Sequence, residues 1–496
     1  MIRKIRNSLI LLLTLAMADA GAQNSQVLYY MNIPQNHFLN PAMRPANSVY
    51  IGLPVISGIN VNINNNFFNF SDIFKVSTEG DSTISIFHPE YDISKFTSKL
   101  KDVNYLEPQV DVQLFGLGFS AGRDLYIFLD INERVEMDFA LPGDMLKLAF
   151  EGNEQFLGDK IDLSSLRTNF TWYREAGLGF SKDITRRMRL GIKGKLLFGV
   201  ANASIDNRAL SVTVQDDFTH TVDADLMANI SAPFNFYMDE ENNIDSVRFD
   251  DERFETNKGI ADYLLKTGNP GFSLDIGAEL NLSEKIKLSA AVTDLGFIKW
   301  KRDLSNLAAE SQFEFSGVDF QDAYNGDKTF EEVGDEILDS LVNSLHMTDS
   351  ELPYRTNLPF GVTFGASYSP SRSFTLGLLS YTRITGNQYR EALTLSANLN
   401  LGNAFSTTVA YTAANYRYDN LGFGLAYRLG FFQIYALADR IPITWNKILI
   451  DGESILLPES IPVPENLNTI HVRLGMNLVF GNKAKPKNDK PMILFQ

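Results

Sequence analysis

The 496-residue chain contains no cysteine. That excludes disulfides, thiolate metal sites and cysteine nucleophiles, although an exported location would permit cross-links. Its five histidines, His37, His88, His220, His346 and His471, are scattered, with no pair at metal-ligand spacing. His471 opens the last alternating run and is expected at an interface. Beyond residue 22 no stretch of about 18 consecutive apolar residues occurs, which excludes a conventional transmembrane helix. A Gly-rich phosphate cradle is also missing. Gly118-Phe-Ser120-Ala-Gly122 matches the nucleophile-elbow pattern, but that motif needs a strand-to-helix turn. Here another strand, Leu125 to Leu129, follows at once. No catalytic residue, cofactor or metal is expected, and the chain reads as something other than an enzyme.

Positive charge is also scarce. With 44 Lys and Arg against 60 Asp and Glu the formal charge is −16, which makes nucleic acid an improbable partner. The first residues carry Arg3, Lys4 and Arg6 ahead of the apolar run Leu9 to Ala18, with Ala20-Gly21-Ala22 before Gln23. This is the layout of a secretory signal peptide (1–22) cut after Ala22. Cleavage leaves 41 basic and 59 acidic residues, a net −18. Against that acidity stand 19 Tyr and 36 Phe, whose rings need an apolar or interfacial home.

What is abundant is two-residue alternation. Val472, Leu474, Met476, Leu478 and Phe480 are apolar, while Arg473, Gly475 and Asn477 between them are polar or small. Phe272, Leu274, Ile276, Ala278, Leu280 and Leu282 oppose Ser273, Asp275, Gly277, Glu279 and Asn281. Met188, Leu190, Ile192, Leu196 and Phe198 oppose Arg187, Arg189, Lys193 and Lys195. A soluble β-sandwich also alternates. The polar second face and runs of roughly 9 to 11 residues favour a tilted membrane strand instead. In lipid only a closed barrel pairs every backbone group of such strands.

Read this way, the chain has fourteen strands, at 48–66, 109–120, 123–139, 167–181, 186–204, 271–282, 285–299, 357–369, 372–384, 389–401, 404–415, 418–429, 431–441 and 468–481, with twelve or sixteen as alternatives. Very short connections follow every second strand: Ala121-Gly122, Asp183-Ile184-Thr185, Ser283-Glu284, Pro370-Ser371, Gly402-Asn403 and Gly430. Such turns belong on the periplasmic side, the long loops outside. The fold class is therefore all-β: a transmembrane antiparallel barrel over 48–481, preceded by a periplasmic or lumen segment (23–47) and followed by a tail (482–496). A hairpin within 205–230 reads as a strand extension outside the membrane.

Local irregularities are also legible. Arg174 falls on the apolar face and implies a snorkelling rim position or a bulge. The phase slips between Val110-Val112-Leu114 and Phe115-Leu117-Phe119, where a second bulge is expected. The acidic stretch Asp239 to Glu255 reads as a solvated loop, since it has no calcium-loop spacing. Thr329 to Leu345 has helical spacing with a capping box and could form a lid or a packed loop helix. A weaker helix is predicted after Pro142-Gly143-Asp144, through Leu146, Ala149 and Phe150.

An outward charge at the bilayer midplane costs about 2–4 kcal/mol, so Arg189, Lys193, Lys195, Asp275 and Glu279 are expected to face the lumen. There they either pair with one another or select ions.

The stretch Gln26-Val-Leu-Tyr-Tyr-Met-Asn-Ile-Pro-Gln35, with Leu39-Asn-Pro-Ala42 and Ile51-Gly-Leu-Pro54, resembles a family of Bacteroidota outer-membrane proteins of unassigned role. Asn40-Pro41-Ala42 is also similar to the N-terminal signature of FadL-type fatty-acid transporters and of PorP/SprF-type barrels. The FadL resemblance implies fourteen strands and an N-terminal plug, here Gln23 to Asn47. Arg473, Gly475, Leu478 and Phe480 resemble the assembly signal of outer-membrane barrels, which implies the barrel-assembly machinery as a partner beside outer-membrane lipid. The chain departs from that pattern by continuing sixteen residues past Phe480. Two roles follow: a transport barrel for a small or lipophilic solute, or an anchor for a periplasmic or surface partner in a secretion or gliding assembly.

Overall fold

A computed structural model describes residues 26–76, 83–86, 88, 90–238, 244–265, 267–315, 347–386, 388–414, 417–441, 445–449, 460–464 and 468–481. The signal peptide, the helix expected over 329–345 and the tail 482–496 lie outside the described residues.

Fourteen antiparallel strands close into a barrel. In chain order β1 is split into Val49–Gly52 and Ile59–Asn65, followed by β2 Val103–Ala121, β3 Leu125–Pro142, β4 Arg167–Asp183, β5 Met188–Val214, β6 Asn269–Asn281 and β7 Ile286–Trp300. Then come β8, again in two pieces (Tyr354–Asn357 and Phe360–Tyr368), β9 Phe374–Thr385, β10 Gln388–Leu401, β11 Phe405–Ala414, β12 Arg417–Leu429, β13 Phe432–Ala438 and β14 Thr469–Phe480. β1 pairs with β14 on one side and β2 on the other, which seals the cylinder. Closure leaves the wall no free edge.

The alternation acquires a direction here. On β5, Leu190, Ile192 and Leu196 are 42%, 48% and 58% exposed on the outer surface, whereas Lys193 and Lys195 are 0% and 1% exposed inside. Apolar outside and charged inside is the polarity a bilayer demands and a soluble barrel would invert. Tight turns close one end, with Gly402 and Gly430 at φ +62° and +63°, a left-handed conformation that glycine adopts without Cβ strain.

Both phase slips are register shifts. On β2 the shift lies between Gln113 and Phe115. Beside Arg174 it lies between Trp172 and Tyr173, where β5 carries the extra residue. Arg174 faces outward in an ion pair with Glu133, which also accepts from Trp172 Nε1 at 3.0 Å. Counting strand rise from Asp183, the pair sits roughly 23 Å up a band about 25 Å tall, so it is at the upper edge of the lipid-facing band.

Several expected boundaries change. The single strand read over 48–66 is broken at 53–58, because Pro54 lacks an N–H and Val55 adopts φ +66°. The break is still bonded to its neighbours: Val55 N–H donates to Gln113 O at 3.0 Å and Met476 N–H to Ile56 O at 2.7 Å. β5 runs 27 residues and, beyond the rim, pairs with His220–Ser231, which pairs in turn with Leu304–Phe315. This is the expected extension made wider by a third strand. The predicted helix after Pro142 is present as Gly143–Glu151. The acidic stretch is not plain loop: its Ile244–Phe249 pairs with Phe234–Met238 just before it, and beyond it Asn257–Leu264 is helical with Thr256 as its cap.

Candidate functional site

Residues 26–47 enter the lumen and pack against its wall. Val27, Leu28, Tyr29, Met31, Ile33, Leu39 and Met43 pack against Leu379, Ala410, Ala426, Tyr435 and Leu437 of the wall. Each such side chain contributes about 1.5–3 kcal/mol by leaving water. Two 3-10 turns, Val27–Tyr30 and Pro34–Phe38, compact the segment, with Pro34 pre-set at the start of the second.

The Asn40-Pro41-Ala42 triplet is seated against two wall glycines. A Cβ at Gly277 of β6 would lie 2.0 Å from Asn40 Oδ1, and one at Gly191 of β5 would lie 2.2 Å from Ala42 N. Only glycine leaves room for the plug at these two wall positions. Asn40 Oδ1 accepts from Ala42 N–H at 2.9 Å, and its amide reaches Tyr29 Oη at 3.3 Å.

Polar clasps hold the plug along its length. At its start, Asp439 accepts the backbone N–H groups of Gln26 and Val27 at 3.0 and 2.8 Å and lies 2.7 Å from His471 Nδ1. In the middle, Gln35 donates to Ser57 O, Gln113 Oε1 and Asn477 Oδ1. His37 places Nδ1 2.7 Å from Pro34 O and Nε2 3.5 Å from Asp130. Near the turn end, Arg44 pairs with Asp183 at 3.0 Å, and Ser181 donates to Ala42 O. The sequence reading named several of these residues, Gln35 and Ala42 in the N-terminal motifs, His37 among the histidines and Asn477 on the last strand, without marking a clasp, and it expected His471 at an interface. His471 is fully buried in the lumen, because the odd-numbered positions of β14 turn inward.

The five charged candidates all face inward, and each has an opposite partner. Arg189 reaches both Glu279 and Asp183 at 2.7 Å, and Glu279 also meets Lys287 at 3.2 Å. Lys195 lies 2.8 Å from Asp275 and 2.5 Å from Asp294. Lys193 pairs with Asp130 at 2.8 Å, across β4 on β3, rather than with β6. Glu175 and Arg134 complete the network, 3.2 Å apart. Asp130, Glu175 and Arg134 were legible as inward positions of β3 and β4, but nothing along the chain marked them as neighbours of Lys193 and Lys195. Charges this buried persist because they are mutually paired; an orphan would be strongly destabilising.

The network also touches the plug. Phe38 lies under Lys193, 5.0 Å from its ring centre, and under Arg473 at 5.8 Å. Arg473 and Gly475 line the lumen, Gly475 against Ser57 O. Phe480 points outward and stacks on Phe431 at 6.1 Å. Ser120 lies within β2, and a tight turn leads straight into β3, so its backbone is not that of a nucleophile elbow.

Two spaces remain. A cavity of about 380 Å³ opens beneath the plug at the turn end, lined by Tyr30, Met31, Arg189, Glu279, Lys287 and Asn400 among others. A polar pocket of about 40 Å³ lies beside Phe38, between Asp111, Asn132, Arg134 and Arg473. The larger cavity therefore meets both the plug and the charged lumen wall, through Tyr30 and Met31 on one side and Arg189, Glu279 and Lys287 on the other.

No curated protein matches this chain. Among solved structures it is similar to a Pseudomonas aeruginosa FadL homologue, at 9% identity and TM-score 0.40 over 91% of this chain and 95% of that one. The Pseudomonas putida toluene transporter TodX is similar at 11% identity and TM-score 0.36, over 93% and 96%. The translocator domain of the autotransporter NalP from Neisseria meningitidis is similar at 8% and 0.30, over 88% and 91%. Likeness at these scores carries no argument about what this chain handles. A family model matches residues 41–439, and the chain belongs to that family, DUF5723, described as a family of unknown function.

Proposed function

We propose that the chain is an outer-membrane transport barrel for a small or lipophilic solute, closed at rest by its own residues 26–47. The observation that carries this reading is the seating of the plug. It is a discrete segment held in glycine sockets and side-chain clasps, above a cavity of about 380 Å³. A barrel serving only as a rigid post has no need of a distinct segment seated in its lumen over a cavity lined by charged and polar groups. The apolar outer band and the signal peptide read from residues 1–22 support the location, with the turns in the periplasm. Transport would proceed by plug displacement, binding and diffusion, without covalent chemistry.

The test is conductance and uptake in liposomes holding the full chain, with labelled fatty acids and small hydrophilic solutes as probes. Weakening the clasps with Gln35→Ala and Arg44→Ala should raise uptake of at least one class. A folded barrel lacking 26–47 that stays as tight as the intact protein would sink the proposal. The second reading, an anchor, is favoured by the sheet of β5, His220–Ser231 and Leu304–Phe315, which rises beyond the rim and offers a protein partner a surface. Recovery of one stoichiometric partner by crosslinking in intact envelopes would favour it.

A further inference from the structure

Lys299 of β7 and Arg355 of β8 face each other directly across two paired strands on the outer surface of the wall. Like charges in that position repel and destabilise a sheet. Among the described residues neither has an acidic partner. Asp294, the acid nearest to them on β7, is turned inward to Arg134 and Lys195. Both cations are exposed, yet both are placed, because they lie over the Phe297 ring at 5.7 and 4.0 Å from its centre. Behind them Trp300 and Tyr354 stack at 6.2 Å inside the wall.

The surroundings point to an amphiphile. Directly below the cations, Phe272 pairs with Phe297 across the strands, and Leu295 lies beside it; the two are 46% and 51% exposed. Lys299 is 13 residues along β7 from Ile286 at the tight turn, which puts it roughly 33 Å up the wall for a tilted strand. The apolar band ends at about 25 Å, so the cations stand at headgroup height in the loop-side leaflet.

We propose that Lys299, Arg355 and Phe297 form a binding site for the phosphate group of a membrane lipid, with an acyl chain lying along Phe272 and Leu295. The guanidinium offers a fork matched to phosphate oxygens, and the ammonium adds a compact charge. One anion between them removes the like-charge repulsion. A choline headgroup brings its own cation and satisfies the pair less well. The site rests on the membrane reading of the barrel and is independent of what the lumen carries.

The test uses the full chain reconstituted in vesicles of phosphatidylcholine with a minor share of phosphatidic acid of the same acyl chains. Retained lipid is counted by native mass spectrometry, and insertion is verified by the heat-dependent gel shift of a folded barrel. The wild type should enrich phosphatidic acid. Lys299→Ala with Arg355→Ala should lose about 30-fold of that preference, while Lys182→Ala with Arg372→Ala, two exposed cations at the turn end, should keep it. An inserted wild-type barrel without preference, or equal loss in both double variants, would overturn the site and leave the membrane reading standing. Failure to insert at all would sink both.

Discussion

Gln35 and Asn477 hydrogen-bond each other in both directions, 2.8 Å from the Gln35 amide to Asn477 Oδ1 and 2.9 Å from the Asn477 amide to Gln35 Oε1. They lie 442 residues apart in sequence, so a clasp on the plug is formed only when the last strand closes the barrel. The clasp therefore depends on the closed barrel, whereas the wall strands pair with one another without the plug.

Gln35→Ala should leave the buried amide of Asn477 without its partner and weaken the plug by about 1–3 kcal/mol. The loss should show as faster hydrogen exchange over residues 26–47, with the wall strands unchanged. In the double variant with Asn477→Ala the two losses should not add, which a double-mutant cycle measures directly.

Gly277→Ala places a methyl where Asn40 Oδ1 now sits, at 2.0 Å. The plug should shift and leak, raising conductance while the barrel remains folded. Asn40→Gly should partly restore closure in that background. Equal conductance in wild type and Gly277→Ala would show that the triplet's seat does not control the lumen.

Lys193→Met strands the carboxylate of Asp130 in a dry interior and should cost about 3–5 kcal/mol in unfolding by denaturant. Pairing it with Asp130→Leu should recover much of that loss, because an apolar pair of similar volume replaces an ion pair at little net cost. No recovery would mean that Glu175 and His37, also near these groups, bear more of the charge than the pair does.

Beyond the rim, the Thr97 hydroxyl and the Gln155 amide donate to Glu151 and hold its carboxyl below the usual glutamate range. The folded form therefore binds this proton less readily than the unfolded one. The contribution is present near neutrality and disappears as pH falls from the ordinary glutamate range through the lowered value. Protection of the Gly143–Glu151 helix in hydrogen exchange should fall in that acid window and become insensitive to it in Glu151→Gln.

Strand number, closure order and facing were legible along the chain because one face of each strand meets lipid and the other does not. Leu196 and Lys195 are adjacent in sequence and opposite in environment, and such local contrast survives in a single string. The bulges at Gln113 and beside Arg174 were legible for the same reason, as slips in an otherwise regular phase. The break in β1 was not, since 48–66 keeps enough alternation to pass for one strand. The short hairpin within 234–249 was masked by its acidity.

What the sequence determined alone is which face of most strands meets lipid, and with it a barrel of about fourteen strands with most of its strand charges turned inward. What only the tertiary structure decided is which inward groups meet. Lys193 finds Asp130 instead of an acid on the next strand, and Asn40 finds Gly277. His471 finds Asp439 and, through it, the start of the plug. The physical reason is that facing follows from a period of two, a property of neighbouring residues. Partnership inside a closed cylinder depends on register, on bulges and on a folded plug that brings residue 26 against residue 439, and no periodicity encodes those distances.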